Sequence, residues 1–233
     1  MLTDQELMAM HVHALFTHDA HARLLCVNEP DGGGPAPRLF LGRTQEGNFW
    51  RFRADLPESL IEALEALCVD EPVSKAFHKA PRHMEAYVRL LETHAPVQEL
   101  WMGPAYHFTA YVEPSRPLLA LTATHAEMLR GGLEKLVAEL PAWQPFLAII
   151  EEGRAVAVCR SVRITPAAHE AGVETLPAFR SKGYATDVVA GWARVVQSWG
   201  AIPLYSTSWE NTASQAVAKK LHLVPYGADF QVT

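Results

Sequence analysis

Cysteine is scarce: Cys26, Cys68 and Cys159 are the three in 233 residues, far apart and with no CxxC pair. Neither a disulfide framework nor a zinc cluster can be read from that spacing. Long apolar runs are also missing, for no window approaches the ~18 residues that a membrane-spanning helix needs. The opening Met1-Leu2-Thr3-Asp4-Gln5-Glu6 carries acids where a signal peptide carries Lys or Arg. We expect no export, no membrane anchor and a reducing, cytoplasmic setting. Nor is there an excess of positive charge: 20 Lys+Arg face 26 Asp+Glu, for a net charge of −6. Without a basic field, nucleic acid is not an expected partner. No internal repeat at 20 to 50 residues is visible, and no low-complexity tract beyond one Gly/Pro turn.

What remains is an ordinary globular composition, 49% apolar and 20% charged, long enough for one large domain or two small ones. The charge is uneven: residues 1–115 hold 9 Lys+Arg against 16 Asp+Glu, and residues 116–233 hold 11 against 10. Glu113-Pro114-Ser115-Arg116-Pro117 separates the two parts, because two prolines three apart prevent a helix and disfavour a central strand. We expect an N-terminal α+β domain over 1–115 and a second domain over 116–233.

Leu7, Met10, Ala14 and Leu15 recur at helical spacing after a capping Thr3 or Asp4, predicting a helix over 4–16. Short β-forming runs at 23–27, 38–42 and 48–53, split by turn residues, predict a small antiparallel meander. Helices are predicted after Pro57 and after Pro81. Beyond the boundary the pattern predicts a strand at 118–121 and two helical pieces split by Gly131-Gly132. A hairpin at 146–163 and a short strand at 172–176 follow. The remainder predicts a helix over 184–199, a strand at 201–208, a helix over 212–221 capped by Asn211, and a last strand at 229–232.

The chemistry concentrates in Leu176-Pro177-Ala178-Phe179-Arg180-Ser181-Lys182-Gly183-Tyr184-Ala185-Thr186, between a strand and a helix N-terminus. A tight loop entering a helix turns successive N–H groups toward one point, where the helix dipole adds positive charge, so a diphosphate can bind. Gly183 permits positive φ or close approach of a phosphate oxygen, and Arg180 and Lys182 add charge to the same mouth. The loop is neither GxxxxGK[ST] nor GxGxxG. A strand-to-helix turn with one glycine and some surface charge is the structural alternative.

Arg180-Ser181-Lys182-Gly183-Tyr184-Ala185 fits the pattern [RQ]xxGx[GA], with Pro177 three residues before it. Asn211-Thr212-Ala213 begins a second segment that ends Lys219-Lys220-Leu221-His222-Leu223, after the next strand. In that order and spacing the two segments resemble the signatures of the GNAT superfamily of acyl-CoA N-acyltransferases, over about residues 117–233. His222 and Leu223 replace the usual Gly and Phe. The resemblance implies a mixed, mostly antiparallel sheet flanked by helices, and coenzyme A pyrophosphate on the N–H groups of Arg180, Ser181, Lys182, Gly183, Tyr184, Ala185 and Thr186. It implies a pantetheine arm paired like an added strand with Val173, Thr175 and Leu176 and bonded by Asn211. The strands ending near Thr175 and Ser208 would splay apart to admit thioester and amine. Residues 1–115 match no motif; a decayed copy of the same fold is a candidate, since strands and helices of suitable length occur there without the phosphate loop.

An alkyl ammonium with a pKa near ~10.4 is about one part in several thousand neutral at pH 7, so an amine acceptor must lose a proton before it attacks a thioester. Glu174, the one acid on the splayed strand beside the arm-holding residues, is the expected base. Its alternative is an exposed carboxylate paired with Arg163, and Glu210 is the second candidate base. In many family members a tyrosine seven residues after the asparagine protonates the departing thiolate; here that position is Ala218. Tyr205, or Tyr184, would substitute, or a thiolate with a pKa near ~8.5 would leave unassisted.

The expected activity is therefore direct N-acyl transfer, most simply acetyl from acetyl-CoA, to a small-molecule or peptide amine in a ternary complex, with no metal. A homodimer is a candidate assembly. The alternative is a protein that binds coenzyme A or acyl-CoA as a regulatory ligand without turnover. His11, His13, His18 and His21 crowd the N-terminus with Asp19, but HxH on a helix points its rings about 200° apart, so surface or capping roles are expected. Val188, Trp192, Val195, Val196 and Trp199 read as a core-packing stripe, Trp209 as a lining of the acceptor mouth, and Cys159 as a buried, inert thiol.

Overall fold

The Thr3 hydroxyl accepts the Glu6 N–H (3.1 Å) while the Glu6 carboxylate accepts the Thr3 N–H (2.8 Å). This reciprocal cap starts the first helix where the sequence predicts it. In the computed structural model, which describes residues 2–233, the elements are α1 (Asp4–Leu15), β1 (Phe16–His18), β2 (Leu24–Val27), β3 (Leu39–Arg43), β4 (Asn48–Phe52), α2 (Glu58–Asp70), α3 (Met84–Glu92), β5 (Leu100–His107), β6 (Leu119–Ala120), β7 (Phe146–Glu151), β8 (Arg154–Ile164), β9 (Ala168–Thr175), α4 (Tyr184–Ser198), β10 (Ile202–Ser206), α5 (Thr212–Lys220) and β11 (Val224–Val232).

The chain forms two units that are interleaved in sequence. The first holds the residues up to His107 together with Ser206–Thr212 and Pro225–Thr233; the second holds Phe108–Tyr205 and Ala213–Val224. Both are mixed α+β, with mostly antiparallel sheets flanked by helices.

In the first unit the strand order is β4-β3-β11-β5. Leu39 and Leu41 of β3 with Phe230 and Val232 of β11 pack against Leu60, Ile61 and Leu64 of α2 and Tyr87 and Leu91 of α3. On the other sheet face Met8 of α1 lies across Gly42 and Gly227, where a Cβ would collide with it. The predicted meander is corrected in part. β3 and β4 pair as an antiparallel hairpin, but β2 pairs with β1 and β3 takes β11 on its other side. The Gly/Pro turn is the reason: it folds back on β2, with the Val27 N–H donating to the Gly34 carbonyl and the Ala36 N–H to the Leu25 carbonyl.

In the second unit the order is β10-β9-β8-β7-β6, with β6 through β9 antiparallel and β9–β10 parallel. Helix α4 buries Val188, Trp192 and Val196 completely. Gly191 sits mid-helix where Leu118 occupies the space of a Cβ. Trp199 departs from the predicted stripe, being 57% exposed. The two helical pieces around Gly131-Gly132 are 3-10 segments, Ala123–Leu129 and Glu134–Glu139; both glycines have positive φ, which interrupts an α-helix.

Candidate functional site

β9 is the frame of the site. It runs from Ala168, four residues earlier than predicted, because the buried His169 is satisfied by Ser161 (Nδ1 to Oγ 2.8 Å), which also accepts the Trp192 indole N–H (3.0 Å). β10 pairs with β9 through Ile202↔Ala168, Pro203↔His169 and Leu204↔Glu170. Among the described residues that ladder ends there, and β9 continues for five residues to Thr175.

On the other side, β8 pairs with β9 as far as Ala157↔Thr175, and the Leu176 N–H donates to the Val156 carbonyl (2.9 Å). Strand alternation therefore directs the backbone groups of Glu174 and Leu176 to β8 and those of Val173 and Thr175 to the open edge. Val173 thus keeps its backbone groups for an added strand, and Thr175 keeps its N–H, its carbonyl accepting from Arg180 Nε (3.2 Å). Leu176 differs from them: its N–H is spent on Val156, its carbonyl accepts the Phe179 N–H (2.9 Å), and its buried side chain packs on Gly132.

After a 3-10 turn at Pro177–Phe179, the loop enters α4 with Ser181 at φ 61° and Gly183 at φ 88°. Gly183 occupies the N-cap position with no side-chain cap. The N–H groups of Tyr184, Ala185 and Thr186 are in the first turn, where no helical carbonyl precedes them; among the described residues no side chain accepts from them. Left-handed and right-handed residues in succession at an uncapped helix start form an anion-binding concavity. Arg180 and Lys182 are exposed at its rim. Their side chains brace the loop: Arg180 Nε donates to the Thr175 carbonyl (3.2 Å) and Lys182 Nζ to the Ala178 carbonyl (2.9 Å). The Tyr184 hydroxyl donates to Glu151 (2.8 Å), which raises its pKa and ties it away from acid chemistry.

Alternation also decides the side of Glu174. His169 faces α4 beside Trp199, with ring centroids 6.2 Å apart, so Glu174 projects from the opposite face. There it pairs with Lys135 (2.9 Å) and Arg160 (3.4 Å), not with Arg163. Arg160 is buried, bonded to Glu139, and lies over the Trp143 ring at 5.7 Å. Tyr205, the first β10 residue past the ladder, is buried and its hydroxyl meets Ser214 Oγ of α5 at 2.7 Å. Ala218 is buried on the same helix. Asn211 precedes α5, exposed, with its N–H donating to Ser208 Oγ (3.2 Å); Glu210 beside it is exposed.

Sequence reasoning missed Ser115, Arg116 and Asp187, which close on the loop, and Ser214, Lys135 and Arg160, which engage the expected catalytic pair. Tertiary pairing is the only signal for most of them: Arg116 and Asp187 are 71 residues apart.

The N-terminal histidines separate. His11 is buried beside Asp229 (3.8 Å), the His13 and His18 rings stand 4.5 Å apart, and Asp19 accepts the His21 and Arg23 N–H groups. Burial, then His13 and Arg51, lowers the His18 imidazole to about 4. Among the described residues no group of three or more His, Cys, Asp or Glu side chains is placed to hold a metal ion. No helix among them is long and apolar enough to cross a membrane. Burial pushes the Cys159 thiol up, which suits an inert thiol.

Residues 147–225, which contain β8, β9, the loop, α4 and α5, match the GNAT acetyltransferase family. No curated protein matches the chain. Among solved structures, a Drosophila protein shares the fold across 98% of this chain and 86% of its own, with a TM-score of 0.52 at 13% identity. A GNAT-family protein from Novosphingobium aromaticivorans is 16% identical over 58% of this chain, with a TM-score of 0.47. The chain spans 65% of that protein's length. An N-acetyltransferase-like protein from Streptococcus suis is 14% identical over 85% of each chain, with a TM-score of 0.47.

Proposed function

From the match of residues 147–225 to the GNAT acetyltransferase family, we propose that the protein transfers an acyl group, acetyl in the first instance, from acyl-CoA to an amine. The observation that carries this reading is the uncapped start of α4 beside the open edge of β9. A diphosphate takes the amides from Ser181 to Thr186, that of Arg180 being donated to the Pro177 carbonyl (3.3 Å), and the pantetheine arm pairs with Val173 and with the Thr175 N–H. Leu176 supports the arm through its side chain. Asn211 is proposed as a further contact of the arm.

Glu174 is the proposed base. It already accepts an ammonium, that of Lys135, whose side chain is 70% exposed. An acceptor ammonium replaces Lys135, gives its proton to Glu174, and its nitrogen attacks the thioester carbonyl. The C–N bond forms, the C–S bond breaks and the thiolate leaves with a proton from Tyr205, itself linked to Ser214; the second proton, shed by the nitrogen as the amide forms, returns to Tyr205, so Glu174 ends protonated and the thiol neutral. Fold does not fix the acceptor; a small-molecule or peptide amine fits this chemistry.

Acetyl-CoA titrated into the protein by calorimetry should bind, and a panel of amines should release thiol from it. Glu174→Gln should then keep acetyl-CoA binding and lower kcat by about 10²-fold or more, the usual contribution of a general base. An unchanged kcat would remove Glu174 from the mechanism. Ala218, buried where a hydroxyl donor is usual, favours a second reading in which coenzyme A is a regulatory ligand. Binding without thiol release across the panel is its signature.

A further inference from the structure

The segment Ser115-Arg116 does more than join elements. Arg116 Nη1 donates to Asp187 Oδ2 (2.5 Å) and Nη2 to the Lys182 carbonyl (3.0 Å), while the guanidinium lies over the Tyr184 ring at 4.3 Å. The Ser115 N–H reaches Asp187 Oδ1 (2.9 Å), and its hydroxyl reaches Oδ2 (2.9 Å) and Oδ1 (3.2 Å). Pro114 and Pro117 bracket the pair, which limits the backbone freedom of this clip.

Two consequences follow from elementary chemistry. In a trans peptide the carbonyl and the next N–H point in opposite directions. By drawing the Lys182 carbonyl to itself, Arg116 turns the Gly183 N–H away, toward the open side of the loop. The guanidinium lies close to Gly183, 3.5 Å from where a Cβ would stand. Second, Asp187 is a buried carboxylate on the first turn of the helix that would receive a diphosphate. Unneutralised, it would repel that ligand and compete for the same dipole. Arg116 and Ser115 together engage both of its oxygens, and Arg116 cancels its charge.

We propose that Arg116 is a positioning residue of the acyl-donor loop, which sets the Lys182–Gly183 peptide and neutralises Asp187 so that the α4 amides are left to a diphosphate. The inference rests on the acyl-CoA reading above. Its test compares acetyl-CoA with S-acetylpantetheine, which lacks the diphosphate, on the full chain. Arg116→Gln should weaken acetyl-CoA binding about tenfold or more, the scale of a charge-assisted pair, and leave S-acetylpantetheine binding unchanged. Adding Asp187→Asn to Arg116→Gln should recover part of the loss, because the repelling charge is then gone. Arg116→Lys, which keeps the charge without the fork, should fall between wild type and Arg116→Gln and serves if the glutamine variant unfolds.

A loss shared equally by both ligands, or no recovery on adding Asp187→Asn, overturns the positioning role and leaves the acyl-CoA reading standing. A wild-type protein that binds neither ligand overturns both.

Discussion

Arg38 is 98% buried and donates to four backbone carbonyls: Leu91 (2.9 Å) and Ala95 (2.6 Å) through Nη1, Pro96 (3.0 Å) and Thr233 (3.0 Å) through Nη2. Carbonyls at and just after a helix end lack intrahelical donors, so this one side chain ties the chain leaving α3, at Ala95 and Pro96, to the Thr233 carbonyl. Arg38→Met fills the space and takes the side-chain donor from the Ala95 and Pro96 carbonyls, while Leu91 keeps the His94 and Ala95 N–H groups and Thr233 keeps that of Gln98. It should lower unfolding free energy by about 3 kcal/mol or more in urea titration; a loss below about 0.5 kcal/mol would mean that water replaces the guanidinium. Nothing in the sequence distinguishes Arg38 from a surface arginine at the start of a strand. Residue identity was legible where chemistry is local, as at Gly183, whose φ of 88° the loop requires. It was illegible where the partner is remote: the alternative to Glu174 as base pairs it with Arg163, yet the register turns it to Arg160 and Lys135.

At the scale of elements, helices and the 146–163 hairpin followed from periodicity, whereas β5 did not. Gly103-Pro104 in its middle reads as a break. The fold uses both residues: the Pro104 carbonyl accepts the Thr207 N–H and the Met102 carbonyl accepts the Trp209 N–H, each at 3.3 Å. Gly103 lets the Thr207 carbonyl lie where a Cβ would be. β11 extends to Val224 for a similar reason: Pro225 and Gly227 look like punctuation, but Gly227 makes room for Met8 and for the Arg43 carbonyl. The obstruction at Gly103 is backbone and not the end of a flexible side chain, so it cannot yield cheaply. Gly103→Ala should therefore cost about 1–3 kcal/mol, the range of overpacking. Thermal melts of Gly103→Ala beside Gly153→Ala, a glycine with open space around it but positive φ, separate crowding from backbone strain. A melting temperature for Gly103→Ala at the wild-type value would show that residues 206–209 move aside.

At the scale of the whole molecule, the proline-bounded segment at 113–117 looked like a place to divide the chain, but connectivity runs across it. β3 has β4 on one side and β11 on the other, the latter over Ala228↔Arg43 to Val232↔Leu39. Phe230 and Val232 are buried in the core that α2 and α3 cover, and the Gln98 N–H donates to the Thr233 carbonyl. A fragment of residues 1–115 therefore lacks a central strand of its own unit. Removing it exposes the row of backbone groups on β3 and the apolar side chains Leu39 and Leu41, a template for self-association. Short chains have little stability in reserve, so the fragment should show no sigmoidal urea transition and should aggregate, while the full chain unfolds cooperatively. Supplying residues 206–233 in trans should restore a transition if the missing strand is the cause. A fragment 1–115 that unfolds cooperatively by itself would show that β11 completes the first unit without being needed to fold it.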